Sequence, residues 1–360
     1  MKGIGLFRSS RNNLFSWKEV IPINRDRSID YFKGLLVIGM VYAHVLQFFS
    51  DSTLYPSTSI ITSFFNLITF SGFVFCFGYV GQLAYYRKPF ASVYKKMLMT
   101  GLKTLVAFYL SGVAFQLYVE GQPLNFDTIL PIVLLQIIPG WSEFLVAFAL
   151  IIVIGVVLFH GFVWLSERPV LLWTTAVILL SATWMDLSQV ESSVIGLIVG
   201  TDQFPTFPVL LYMPFYLIGI YFAKYPIGFR WKYLLFSMLG TSLFVYFLAS
   251  HHFQLPDRFP PSVYWITGPT FFLYIYFVIS KRLNEWTNGL KFLRIIGENT
   301  LFYLLMSNIF IFSLDHAMPL FITGPWSGFF FTVIILGIIT FMVRIVTVFP
   351  EKERRETVGS

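Results

Sequence analysis

Charge is what this sequence has least of. Only 12% of its 360 residues are Asp, Glu, Lys or Arg, about half the share of an ordinary soluble domain. A soluble globular fold is thereby excluded. Cysteine is almost absent: Cys76 stands alone inside an apolar run, which rules out a disulfide framework and a thiol-based zinc site. No metal is expected, because the adjacent pair His251-His252 beside Pro256 reads as a solvated loop and no other ligand cluster is present. There is no internal repeat, no low-complexity tract and no second domain. The first 24 residues are basic but lack a short apolar stretch followed by a small-residue cleavage site. They are expected to be a retained cytoplasmic segment, 1–27, and not a signal peptide.

What is present in excess is hydrocarbon. Apolar residues make up 56% of the chain, and Phe alone supplies 42 of them. A bilayer core about 30 Å thick takes roughly 20 apolar residues per helical crossing. Runs of that kind fall at 28–50, 58–86, 97–119, 128–160, 169–186, 206–223, 231–249, 262–280, 298–318 and 326–348. The expectation is an all-α integral membrane protein, about ten helices in one bundle over 28–348, with a charged cytoplasmic tail, 349–360. The fourth run is too long for one crossing and contains Pro139-Gly140. It is expected to be a half-helix, 128–138, then a full crossing from Trp141. Basic loops are retained on the cytoplasmic side. With ten crossings and both termini cytoplasmic, 24 of the 25 basic residues fall inside and only Arg258 falls outside. The net charge of +7 is then topology plus attraction to anionic lipid, with no nucleic-acid partner needed.

Ionisable groups in hydrocarbon cost about 2.5–3.5 kcal/mol or more, so the few that remain ask for a function. Lys33 and His44 are eleven residues apart on the first helix. That is three turns, a rise of roughly 16 Å with almost no net rotation. Both therefore lie on one stripe and are expected to face one cavity, with Asp30 at its start as support. Glu143, early in a helix running the other way, falls at a similar height to His44. A carboxylate accepting the imidazole N–H would fix the tautomer and raise the basicity of the other nitrogen. The plainer alternatives are a satisfied bundle histidine, a helix-capping glutamate and a snorkelling lysine. Arg87, Lys96 and Lys103 before and along the third helix form either an inner-leaflet anchor or a phosphate-binding surface. Phe204, Phe207, Tyr264 and Trp265 read first as an interfacial aromatic belt, with stacking on sugar faces as the other possibility.

Ile29-Asp30-Tyr31-Phe32-Lys33-Gly34, with His44 eleven residues after the lysine, resembles the opening motif of the acyltransferase-three family of integral membrane acyltransferases, most closely its fucose O-acetylase-like branch. Leu102-Lys103-Thr104-Leu105, Trp141-Ser142-Glu143-Phe144-Leu145 and Gly297-Glu298-Asn299-Thr300 are similar to three further family stretches. In the last of these many relatives carry a His one turn later, where this chain has Ser307-Asn308. The resemblance implies O-acyl transfer, usually of acetyl, from cytoplasmic acetyl-CoA or another acyl-CoA to a sugar hydroxyl of a surface glycan or its lipid-linked precursor. It implies His44 as general base with Glu143, and Lys33, Arg87, Lys96 and Lys103 at the donor's phosphates. The expected partners are the lipid bilayer, acyl-CoA as donor substrate and a carbohydrate acceptor, with no bound cofactor, in a bacterial cell membrane. Two other readings fit the helices alone: a glycan exporter, since a broken helix and isolated polar groups also suit a transporter, and a structural scaffold. Neither gives a reason for a basic residue aligned with a histidine. Acceptor identity, acyl length and oligomeric state are not legible in the sequence.

Overall fold

The structure, a computed structural model, describes residues 26–285, 290–318 and 320–358, with side chains as far as Ile345. Residues 1–25 of the basic amino-terminal segment, and Gly359 and Ser360 of the tail, lie outside the described residues. Among the described residues fifteen α-helices follow one another: α1 (Ser28–Phe49), α2 (Pro56–Ala84), α3 (Phe90–Tyr118), α4 (Phe126–Val133), α5 (Glu143–Val157), α6 (Phe159–Ser166), α7 (Pro169–Leu180), α8 (Ser193–Val199), α9 (Val209–Lys224), α10 (Trp231–Ser250), α11 (Val263–Thr267), α12 (Thr270–Glu285), α13 (Lys291–Glu298), α14 (Thr300–Ala317) and α15 (Pro325–Val358). Among the described residues there is no strand, only two isolated bridges. The protein is an all-α membrane protein.

Each of the ten apolar runs contains a helix. Among the described residues, seven helical stretches are long and apolar enough to cross a bilayer alone, α11 and α12 counting together as one (Val263–Glu285), and an eighth if α5 and α6 count as one bent span. The runs at 169–186 and 206–223 fall on shorter apolar helices, α7 with its following 3₁₀ turn, and α9. The fourth run differs most from expectation. Its first helix ends at Val133, ahead of Pro139-Gly140, and residues 134–142 are irregular. The stretch from Trp141 is not one straight crossing but α5 and α6 meeting at 77°. Ring packing turns the chain there: Phe159 and Phe162 of α6 lie 5.2 and 5.7 Å from the Tyr86 ring, and Phe162 lies 5.1 Å from Tyr216. The last helix also continues to Val358, through residues expected to form a separate tail.

Prolines start three of the helices, Pro56 in α2, Pro169 in α7 and Pro325 in α15, where a missing N–H is no loss. α1 is the most enclosed of the spans, 72% of its apolar stretch being buried against 17% for α10, and it touches α2, α12, α13, α14 and α15. Small residues permit this closeness, as membrane helices pack through them without a hydrophobic drive between helices. A Cβ on Gly297 of α13 would run into the Asp30 carbonyl of α1, and one on Gly34 into that of Leu293. Gly78 of α2 and Gly219 of α9 do the same for the pair α2 and α9, facing the carbonyls of Tyr216 and Phe75. Just before α1, the Asp26 carboxylate accepts from Lys281 at 2.6 Å and Tyr79 at 2.6 Å, tying α1 to α12 and α2. Burial works against its charge, yet the bonds from Lys281, Ser28 and Tyr79 hold this carboxyl below the ordinary range.

Backbone contact at Gly219 makes a sharp prediction. Gly219→Leu is expected to overpack the α2–α9 seam and lower stability by about 1–3 kcal/mol or more, read as a lower melting temperature in detergent. Gly161→Ala in α6, where an added Cβ meets nothing within 4 Å, is expected to melt like the unaltered protein.

Candidate active site

One stripe of α1 carries Lys33, Met40, His44 and Gln47, spaced by seven, four and three residues, the interval at which side chains share a helical face. A stripe of α2 runs beside it: Asn66, Thr69, Phe70, Phe73, Cys76, Phe77 and Val80. Cavities open along both. The first, about 250 Å³, lies between His44 and Gln47 of α1, Asn66 to Phe73 of α2, the start of α5 at Glu143, and Phe207, Arg258 and Phe259 from two loops. The second, about 180 Å³, is lined by Lys33, Cys76, Phe77, Val80, Thr100, Thr104 and Thr300. A third, a groove of about 410 Å³, holds Lys103, Glu298 and Asn299 and shares Thr300 and Leu301 with the second. Lys33 and His44 therefore share a stripe but not a cavity. Side chains from α2 and α5, Phe73 and Phe148, line both spaces and separate them.

His44 is buried, and the Trp141 indole stands edge-on to it, ring centres 5.0 Å apart. Trp141 takes a left-handed backbone, φ 63°, an uncommon conformation for a bulky residue that persists where the surroundings hold it. They do: Asn308 of α14 donates to the Trp141 carbonyl at 3.0 Å and to Ser111 of α3 at 2.9 Å, and Ser111 bonds Ser142 at 2.8 Å. Glu143 is buried in the first turn of α5, its carboxyl lying against the backbone amides of residues 141–143. The expected hydrogen bond between the His44 imidazole and the Glu143 carboxylate is not seen: His44 Nδ1 and Glu143 Oε2 are both buried without a partner among the described residues.

Arg258 was not singled out by motif or helix periodicity, yet it closes the cavity. Its guanidinium lies 4.6 Å from the Phe259 ring, 5.4 Å from Phe207 and 5.9 Å from Trp265, in the range of cation–π attraction. Its Nε is buried without a partner. Burial pushes the Arg258 pKa down, while Tyr212 and Glu143 act the other way. The same guanidinium acts electrostatically on His44. Phe207, read first as a belt residue, lines this cavity instead. The sequence signal for Arg258 was its isolation as the one basic residue on the acidic side. For Asn308 it was only its place soon after the stretch Gly297-Glu298-Asn299-Thr300 that resembles a family motif.

The remaining residues singled out from the sequence disperse. Asp30 pairs with Lys33 at 3.0 Å. Arg87 donates to the Ala223 carbonyl at 2.8 Å, at the end of α9. Lys96 is exposed on α3, and neither it nor Arg87 lines the three spaces. Lys103 does line the groove. No group of three or more His, Cys, Asp or Glu able to hold a metal occurs among the described residues.

The family profile described as an acyltransferase domain matches residues 26–344. No curated protein and no solved structure matches the chain.

The Asn308 bridge is testable without knowing the reaction. Asn308→Leu leaves the Trp141 carbonyl and Ser111 short of a donor and is expected to cost about 1–3 kcal/mol, seen as a lower melting temperature. Ser250→Ala at the exposed end of α10 is expected to stay within about 0.5 kcal/mol of the unaltered protein.

Proposed function

The chain belongs to the acyltransferase-3 family of membrane acyltransferases, and on that premise we propose that it carries an acyl group, acetyl in the simplest case, from cytoplasmic acyl-CoA to a hydroxyl of a sugar on a surface glycan or its lipid-linked precursor, in a bacterial cell membrane. The observation that carries this reading is the set of unpartnered atoms around the first cavity: His44 Nδ1, Gln47 Oε1, Glu143 Oε2 and Arg258 Nε. Buried polar groups are ordinarily hydrogen-bonded. Gln47 Oε1 and Glu143 Oε2 want donors, Arg258 wants an acceptor, and the imidazole can be either. A carboxylate or phosphate would satisfy Arg258 and at most the imidazole, and an ammonium would satisfy only the acceptors. A neutral polyol satisfies all four.

In this reading His44 takes the proton of the acceptor hydroxyl as its oxygen attacks the thioester carbonyl. The tetrahedral intermediate collapses with cleavage of the C–S bond, and the imidazolium returns its proton to the departing thiolate of CoA. Products are the sugar ester and free CoA, so atoms and charge balance. Glu143 and Gln47 accept from neighbouring hydroxyls, and Arg258 donates to one, fixing which hydroxyl faces His44. On the donor side Lys33, oriented by Asp30, and Lys103 suit the phosphates of CoA, and the apolar space lined by Cys76, Phe77 and Val80 suits the pantetheine arm. Arg87 and Lys96 lie apart from this path and fit the lipid-anchor role.

A glycan exporter would neither bind nor consume acyl-CoA. Membranes supplied with radiolabelled acetyl-CoA and acceptor glycan are expected to show transfer, and His44→Ala is expected to lower it by about 10²–10⁴-fold, the usual worth of a general base. Retained turnover in that variant would exclude His44 as the base. Arg258→Gln is expected to raise the acceptor KM and leave the donor KM unchanged. Mass spectrometry of surface glycans with and without the gene identifies the acceptor by the acetyl group lost.

A further inference from the structure

A thioester and an activated hydroxyl have to meet at His44, in a cavity whose polar lining also suits water. Any base that deprotonates a sugar hydroxyl would deprotonate water equally well, and hydrolysis would then compete with transfer. Exclusion of water until the acceptor is seated is the usual answer, and this chain has a candidate device for it.

The donor-side and acceptor-side cavities meet at two side chains. Phe73 and Phe148 are each buried, each lines both spaces, and they contact one another edge to face with ring centres 5.6 Å apart, at 69°. The α2 stripe continues past them without a break, Asn66 to Phe73 on one side and Phe73 to Val80 on the other, so the two spaces lie along one path. An apolar constriction of this kind closes a passage by keeping it dry. Phe148 is also coupled to the acceptor side. Its ring stacks on Phe70 at 5.2 Å and 10°, Phe70 stacks on Phe207 at 4.1 Å and 18°, and Phe207 lies under Arg258. A ligand that engages Arg258 presses on a column of rings whose far member is the partition.

Resting on the acyl-transfer reading above, we propose that Phe73 and Phe148 form a movable partition across a single donor-to-acceptor path and decide whether the acyl group goes to the acceptor or to water. Closed, it keeps the thioester carbonyl from His44 and from cavity water. Displaced when the acceptor fills the cavity, it admits the carbonyl to the reaction. When the partition fails, water replaces the sugar hydroxyl: the C–S bond breaks, a C–O bond to water forms, and the products are the free carboxylic acid and CoA.

The full chain in nanodiscs, given acetyl-CoA with and without acceptor, reports both outcomes as free CoA thiol and as acylated acceptor. Phe73→Leu and Phe148→Leu are expected to raise acceptor-independent thiol release several-fold and to lower the acylated acceptor formed per CoA released. Phe148→Trp, which keeps the bulk, is expected to stay near the unaltered ratio. Phe159→Leu removes the same volume from a buried ring packed on Tyr86 and away from the path, and is expected to leave that ratio unchanged. If Phe159→Leu raises hydrolysis as much as the path variants, or if the unaltered protein transfers and both path variants keep its ratio, the partition is overturned while acyl transfer stands. If the unaltered protein consumes no acetyl-CoA with acceptor present, the acyl-transfer reading itself falls and the partition with it.

Discussion

Everything in this molecule follows from the cost of placing polar groups at membrane depth. An imidazole, a carboxyl and a guanidinium together would be prohibitive facing lipid. The bundle makes them tolerable by turning them toward an internal cavity and putting α1, the most enclosed of the spans, at its centre. The same constraint governs the backbone. The irregular stretch 134–142 leaves peptide groups without helical partners, and such backbone survives in a membrane only where protein or a cavity surrounds it. Here it forms a wall of the first cavity, and Asn308 supplies one of the missing bonds at Trp141.

Much of the architecture was legible because the bilayer imposes it. Apolar runs became helices, and the spacing of Lys33, Met40, His44 and Gln47 put them along one line. Tertiary placement was not legible in the same way. Arg258 sits in a loop with no periodicity, and only the folding of that loop over α2 and α5 brings it to Glu143. Separation of Lys33 from His44 depends on Phe73 and Phe148, which belong to other helices and so leave no trace in the pattern of α1. The elbow between α5 and α6 has no proline to announce it. It arises from aromatic packing against Tyr86 and Tyr216, residues distant in sequence. Among the basic residues, the sequence grouped Arg87, Lys96 and Lys103, but of these only Lys103 reaches the groove beside Thr300.

Family membership sets the chemistry at the level of acyl transfer. What the fold adds is a cavity of about 250 Å³ in which an imidazole, an amide, a carboxyl and a guanidinium meet, each with an atom that has no partner among the described residues.

The elbow after Val157 has a geometric corollary. α5 has 15 residues and so advances roughly 22 Å along its axis, well short of a hydrocarbon layer about 30 Å deep. α5 alone therefore does not span that layer, and the chain turns through 77° into α6 before a crossing is complete.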